Sequence, residues 1–165
     1  AFNDNGRKLV IIGDGPDRAV LEKIAKPNIT FLGRLPDPEV ADYYARCNAL
    51  LFPGDEDFGI VPLEANAAGR PVIAYKAGGA LDTVIDGETG IFFSELTPKS
   101  LSDAVLRSEQ TTWDSAAIRK HAEAYAEPRF RERFMRIVED AVEKKHGAAG
   151  VKSLREALGA LAATG

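Results

Sequence analysis

Two carboxylates flank a glycine turn in the segment EDFGIVPLE, which runs from Glu56 to Glu64. The segment follows directly on the apolar run ALLFP, residues 49–53, which is typical of a buried strand. Amides in the first turn of a helix lack partners within the helix and carry the positive end of its dipole. A helix that starts here can therefore hold a phosphate or a sugar hydroxyl. The segment is therefore compatible with a ligand that carries a phosphate or sugar hydroxyls.

Each acid also has to be weighed against an explanation from the fold alone. If Pro62 begins the helix, Glu64 lies near its third position, where an acid stabilises the dipole by about 0.3 to 1 kcal/mol without any ligand. On that ground alone the structural explanation of Glu64 is favoured. Glu56 comes instead just past a strand, in the crevice, which favours a role toward a ligand.

Glycine turns also follow two earlier apolar runs, as Gly13-Asp14-Gly15-Pro16 and Gly33-Arg34-Leu35-Pro36. Taken singly, each is typical of a tight turn with proline in the first helical turn. The carboxyl ends of parallel strands lie at the same edge of a sheet. These two turns and the turn at Gly59 are therefore expected to line one crevice.

The elements that position these residues follow from the alternation of short apolar runs with helical stretches. This alternation predicts an α/β fold, a Rossmann-like parallel sheet with helices on both faces. The predicted strands are residues 8–13, 29–33, 49–53, 71–75 and 90–93, and the helices between them are residues 16–26, 37–47, 60–69 and 79–87. From Thr97 onward the pattern is helical only, with a break at residues 147–150. The opening AFNDNGRK indicates a helix end and a turn, so a first strand-helix unit is expected to be missing.

Composition narrows the class of protein. The 165 residues are 45% hydrophobic and carry a formal charge of -4, which argues against general attraction to nucleic acid or to an anionic membrane. One cysteine and two histidines leave no internal disulfide and favour no structural zinc. No apolar run reaches the roughly 18 to 20 residues of a transmembrane segment.

Several single residues are expected to serve the fold alone. His121 and His146 are expected to be exposed to solvent and Trp113 to pack in the core. The arginines of residues 129–136 are expected to form a helix face with salt bridges.

The stretch FPGDEDFGIVPLEANAAGRPVIAYKAGGALDTVIDGETGIFF, residues 52–93, resembles the retaining glycosyltransferases of family 4, whose GT-B fold carries two glutamates separated by seven residues. Here these are Glu56 and Glu64. LVIIGDGP and ITFLGRLPDPEVADYYARCNALLFP match the same family in order and spacing. The resemblance is close over residues 8–93 and looser in the later helices, and it is closest to bacterial mannosyltransferases of polysaccharide assembly.

The resemblance implies the C-terminal, donor-binding half of a GT-B enzyme that moves a hexose, by preference mannose from GDP-mannose and otherwise the sugar of a UDP-hexose, to a glycan or lipid-linked acceptor. Residues 1–146 would form the nucleotide-sugar-binding domain with its C-terminal helices, and residues 147–165 a terminal helical extension. No cofactor and no metal is expected beside the nucleotide-sugar substrate. An N-terminal acceptor-binding domain belongs to the parent enzyme, which would be cytoplasmic and could carry this domain to a membrane.

The resemblance also assigns roles to single residues. Glu56 would be catalytic and face the hydroxyls of the transferred sugar, and Glu64 would hydrogen-bond the ribose of the donor. The remaining donor-binding residues are the turn and helix start that face sugar and diphosphate (Asp57, Phe58, Gly59, Ile60, Val61), the nucleobase contacts (Gly33, Arg34, Leu35) and the border of the cleft (Gly13, Gly15).

Two departures from the family pattern leave alternatives open. Asp82 stands where the family often has glutamate, and residues 1–165 supply no Arg and Lys pair on a first strand and helix, a unit that in the family lies in the middle of the sheet. The chain could therefore be a nucleotide-sugar-binding module without turnover. A UDP-sugar epimerase of GT-B fold is less favoured, because such enzymes lack the paired-glutamate segment.

Overall fold

The computed structural model describes residues 1–162, in which short parallel strands alternate with helices as far as Phe93 and only helices follow. The strands are β1 Leu9–Ile12, β2 Ile29–Gly33, β3 Leu50–Phe52, β4 Val72–Tyr75 and β5 Gly90–Phe93. The helices are α1 Phe2–Asn5, α2 Arg18–Ile24, α3 Asp37–Arg46, α4 Ile60–Ala67, α5 Ala80–Thr83, α6 Pro98–Gln110, α7 Ser115–Glu123 and α8 Glu127–Ala162. The last three residues of the predicted extension 147–165 lie outside the described residues.

All strand pairs are parallel, as predicted, but the strands form two sheets. One has the order β1-β2 and the other β3-β4-β5. Leu9 lies opposite Ile29 in the first sheet, and Val72 lies opposite Gly90 in the second. No pairing joins β1 to β3 within residues 1–162. β1 and β3 therefore each have one edge without a strand partner among the described residues.

One hydrophobic cluster is shared by both sheets. Its buried members are Phe2, Ile73, Ile91, Phe93, Ala104 and Val105. Leu9 from β1, Ile29 from β2 and Leu51 from β3 pack against this cluster. Trp113 packs there too, with its indole Nε1 donating to the Ser108 carbonyl at 2.9 Å, so its predicted packing role is confirmed.

Helix α4 begins where predicted, and helix α5 is shorter than predicted. Gly59, with φ 72 and ψ 88, is the N-cap of α4, so Pro62 is the third residue of the helix and not its first. α5 is a single turn because Val84 is already extended. The following turn is closed by a hydrogen bond from the Ile85 amide to Thr89 Oγ1 at 2.8 Å.

The expectation that His121 is solvated is wrong. The side chain is half-buried, and its Nε2 lies 2.8 Å from the Thr83 carbonyl at the end of α5. Because a carbonyl only accepts, this ring nitrogen carries the proton. His121 therefore fixes α7 against α5.

Among the described residues, those from 123 to 162 form a second compact unit, after a first unit at Ala1–Ala122. Within it α8 is interrupted at Gly147, where φ is 66 and ψ is -174. Arg155 donates from Nε and Nη2 to the two carboxylate oxygens of Glu139, at 2.7 Å each, although 16 residues separate them. The segment therefore folds back on itself. The division predicted after residue 146 stays a prediction.

Three of the four arginines of residues 129–136 pair with glutamates on the same helix, as predicted. Arg131 contacts Glu127 at 2.9 Å, and Arg136 contacts Glu132 at 3.2 Å. None of the helices described is at once long and apolar enough to cross a bilayer.

Candidate functional site

The loop after β3 carries Glu56 and is held by the loop after β4. The Gly79 amide donates to the Glu56 carbonyl at 2.7 Å. A Cβ atom on Gly79 would lie 2.3 Å from the Cα and carbonyl oxygen of Phe58, and one on Gly78 would lie 2.3 Å from the Glu56 carbonyl. The two loops thus contact each other backbone to backbone, and only glycine fits at both positions. This contact leaves the Glu56 side chain exposed to solvent.

Gly59 joins this loop to α4. Its positive φ favours glycine, and a Cβ atom there would approach the Phe52 ring to 2.9 Å. No side chain caps the start of α4. The side chains of Ile60 and Val61, which follow this start, are 63% and 39% exposed. The first amides of α4 are therefore available to an oxygen-rich ligand.

Glu64 is the fifth residue of α4 rather than the third. The dipole explanation of this acid is accordingly weaker, because the dipole acts mainly within the first turn. Its carboxylate Oε2 instead accepts a hydrogen bond from the Tyr44 hydroxyl on α3, at 3.1 Å. Burial, with the hydrogen bond to Glu64, raises the pKa of Tyr44, so the hydroxyl stays protonated.

The turns after β1 and β2 lie side by side. The Gly13 amide donates to the Gly33 carbonyl at 2.7 Å, and Gly15 follows in an exposed turn. The guanidinium of Arg18 covers Gly33, since a Cβ atom there would lie 2.9 Å from its Nη1. Arg18 also donates to Glu22 at 2.8 Å, and this hydrogen bond raises the pKa of the guanidinium.

The predicted residues therefore fall into two groups. One group stands after β1 and β2, where Arg34 is exposed and Leu35 is half-buried. The other runs from Glu56 to Glu64, with Asp57 and Phe58 exposed in the loop. Strand pairing unites each group but does not join the two, because β1 and β3 are unpaired with each other. Both groups nevertheless stand on one core, against which β1 and β3 pack.

Sequence reasoning missed three kinds of contact at this site. Gly78 and Gly79 contact the backbone of the Glu56 loop, and two consecutive glycines after a strand are the sequence feature that could have indicated this contact. Tyr44 and Arg18 had no local signal, because their contacts depend on how separate elements pack.

Two hollows of about 440 and 400 Å³ are lined by residues of α8 alone. Charged side chains such as Glu143 and Lys152 make up much of the larger one. None of the residues predicted to bind the donor lines either hollow.

The family model for glycosyl transferases group 1 matches residues 2–126, which include both groups of site residues. The chain belongs to this family. The matched span ends near the boundary between the two compact units, so the family assignment concerns the first unit.

The relatives of this group 1 domain include a mannosyltransferase that depends on GDP-mannose. Over 114 residues it is 35% identical to the GDP-mannose-dependent alpha-(1-6)-phosphatidylinositol monomannoside mannosyltransferase of Mycobacterium tuberculosis, an alignment that covers 61% of this chain and 30% of that enzyme. An uncharacterized glycosyltransferase of Methanocaldococcus jannaschii is 34% identical over 111 residues, covering 64% of this chain and 32% of the relative.

A solved structure supports the fold. The pneumococcal O-GlcNAc transferase GtfA superposes with a TM-score of 0.67 at 19% identity, covering 81% of this chain and 29% of that one. This group 1 domain thus has the fold of the C-terminal domain of a GT-B glycosyltransferase, and it spans about a third of the length of these relatives.

Proposed function

We propose that the chain is the donor-binding half of a retaining hexosyltransferase that takes mannose from GDP-mannose and passes it to a glycan or lipid-linked acceptor in polysaccharide assembly. The observation that carries the proposal is the Glu56 loop, seated on Gly78 and Gly79 directly before the uncapped start of α4. Similarity to a GDP-mannose-dependent mannosyltransferase supports the choice of donor. The acceptor side would belong to an N-terminal domain of the parent enzyme.

In this proposal the start of α4 binds the sugar and diphosphate through the amides of residues 58–61, as an uncapped helix start favours anions. The exposed carboxylate of Glu56 accepts hydrogen bonds from the sugar and offsets positive charge that develops on its ring. Glu64 accepts a hydrogen bond from the ribose. Gly33, Arg34 and Leu35 contact the nucleobase, and the turn at Gly13 and Gly15 borders the cleft.

The reaction then needs no protein nucleophile. The bond between the anomeric carbon and the diphosphate oxygen breaks, and the acceptor oxygen forms its bond to the same face of that carbon. The acceptor proton passes to the departing diphosphate. Both Glu56 and the amides of α4 act by stabilising charge that develops in this transition state.

A second candidate, a binding module without turnover, is favoured by the charges around the site. Residues 54–64 carry four acids and no Lys or Arg. This segment alone would balance the charge of a diphosphate only with helix amides, and the two strand groups are not joined by pairing. We therefore expect weak donor binding and no transfer from the 165-residue chain.

Calorimetric titration of the chain with GDP-mannose, UDP-glucose and UDP-N-acetylglucosamine tests the proposal. Binding of GDP-mannose in preference to both UDP sugars is the expected result. Preference for a UDP sugar would refute the GDP-mannose assignment, and no binding of any of the three would refute a donor site. Steady release of GDP from GDP-mannose in the presence of a mannoside acceptor would refute the binding-module alternative.

A further inference from the structure

Tyr44 is the one side chain outside the Glu56 to Glu64 segment that the described residues show hydrogen-bonded to a carboxylate of that segment. It lies on α3, twenty residues before Glu64, and its hydroxyl is 3.1 Å from Glu64 Oε2. A carboxylate only accepts, so the phenol hydrogen points at Glu64. The contact joins α3 to α4 at Glu64, the residue proposed to bind the ribose of the donor.

The Tyr44 ring is held by the core. It is half-buried and packs against the cluster that contains Phe52, Ala65 and Val72. Glu64 itself is exposed, and an exposed glutamate without a partner samples several rotamers. The packed ring therefore presents its hydroxyl from a fixed position and restricts the Glu64 carboxylate before any ligand arrives.

We propose that Tyr44 is a positioning residue for the ribose of the donor: it occupies Oε2 of Glu64 and leaves Oε1 to accept from a ribose hydroxyl. This inference rests on the proposed function, in which Glu64 contacts the ribose. Tyr44 does not touch the nucleotide. It acts by fixing the direction of the second carboxylate oxygen, a preorganisation that lowers the ordering cost of binding.

The test is calorimetric titration of Tyr44→Phe with GDP and UDP and with their 2′,3′-dideoxy analogues. Tyr43→Phe is the matched control, since it removes a hydroxyl from the neighbouring half-buried ring, which contacts Arg46. Whichever of GDP and UDP binds the wild-type chain more tightly, Tyr44→Phe is expected to weaken its binding about tenfold, which corresponds to the loss of one charge-assisted hydrogen bond. Tyr43→Phe should stay within about twofold of wild type. With the dideoxy analogue, Tyr44→Phe should bind like wild type.

The outcomes separate this inference from the function beneath it. An equal loss of ribonucleotide and dideoxynucleotide binding would mean that Tyr44 only supports the fold, and an unchanged affinity would mean that it has no role; both overturn the inference. If Glu64→Ala still weakened ribonucleotide binding, the proposed function would survive either result. Absence of GDP and UDP binding to the wild-type chain overturns both. Glu64→Gln changes the α4 side of the same contact. It should also weaken ribonucleotide binding, and it should leave binding of the dideoxy analogue unchanged.

Discussion

Glu56 and Glu64 are held in different ways, and this difference separates their expected roles. The loop fixes Glu56 through its backbone carbonyl, which accepts from Gly79, so its side chain is free to meet a ligand. Glu64 is fixed through its side chain by Tyr44. Truncating the Glu56 side chain therefore leaves its anchor intact, whereas truncating Glu64 removes a contact between helices.

In the parent enzyme, Glu56→Ala is expected to lower kcat about 10²- to 10³-fold, the effect of losing one group that stabilises developing charge. Its KM for the donor should change little. Glu64→Ala is expected to raise the donor KM about tenfold with a smaller effect on kcat, because the ribose contact proposed for Glu64 would act in ground state and transition state alike. Steady-state kinetics of both variants checks this. Wild-type kinetics in both would show that the acids serve the fold alone.

Gly79→Ala is expected to destabilise the first unit by more than about 2 kcal/mol, because its Cβ would overlap the Phe58 backbone. Gly54→Ala is the matched control in the facing loop. Its Cβ meets nothing closer than Glu56 Oε1 at 3.8 Å, so its effect should stay within about 0.5 kcal/mol. Urea unfolding of both variants measures the difference. Equal stability of the two would show that the loops separate without cost.

At the scale of elements, Arg7 joins the turn after α1 to α6. Its Nε and Nη2 donate to the two oxygens of Glu109 at 2.6 Å each. The hydrogen bond from Arg7 holds the pKa of the Glu109 carboxyl below its ordinary value. A carboxyl whose pKa is lower in the folded state stabilises the fold above its unfolded pKa, and this contribution disappears as pH falls through the folded value.

Glu109→Gln should therefore cost stability at about pH 7, and the gap to wild type should begin to narrow as pH falls below about 4.3, the ordinary pKa of glutamate, and disappear once the wild-type carboxyl is protonated in the folded state. Urea unfolding across this pH range measures the gap. Glu88→Gln, at an exposed position for which the described residues show no ion pair, should give no such gap at any pH. A gap for Glu109→Gln that persists unchanged to pH 3 would exclude the ion pair as its source.

All five strands were predictable from the sequence because each is a short apolar run, and no observed bound differs from the predicted one by more than one residue. Helix ends were less predictable. The helix expected over residues 79–87 already ends at Thr83, because Val84 is extended. The contacts of Tyr44 with Glu64 and of His121 with Thr83 span 20 and 38 residues. Such contacts leave no local period, so only the packing of elements reveals them.

At the scale of the whole molecule, the interrupted sheet predicts unequal backbone protection. β4 is paired on both sides, and its first three residues are at most 2% exposed. β1 and β3 are each paired on one side, and Val10 in β1 is 43% exposed. Hydrogen exchange should therefore be slowest in β4 and faster in β1 and β3, because alternate amides of the latter face an unpaired edge. Exchange in β1 as slow as in β4 would contradict this and indicate that its edge is covered.

The glycine that interrupts α8 sets how far that segment reaches. No atom crowds Gly147, so a methyl group would fit in space, but φ 66 with ψ -174 is a conformation open essentially to glycine alone. With alanine there, the favoured state is an unbroken rod, and 36 helical residues at 1.5 Å each extend to about 54 Å. The distance between Glu139 and Arg155 would then grow from contact to about 24 Å. The absence of a Cβ atom at Gly147 thus allows this part of the chain to form a helical hairpin instead of one straight helix.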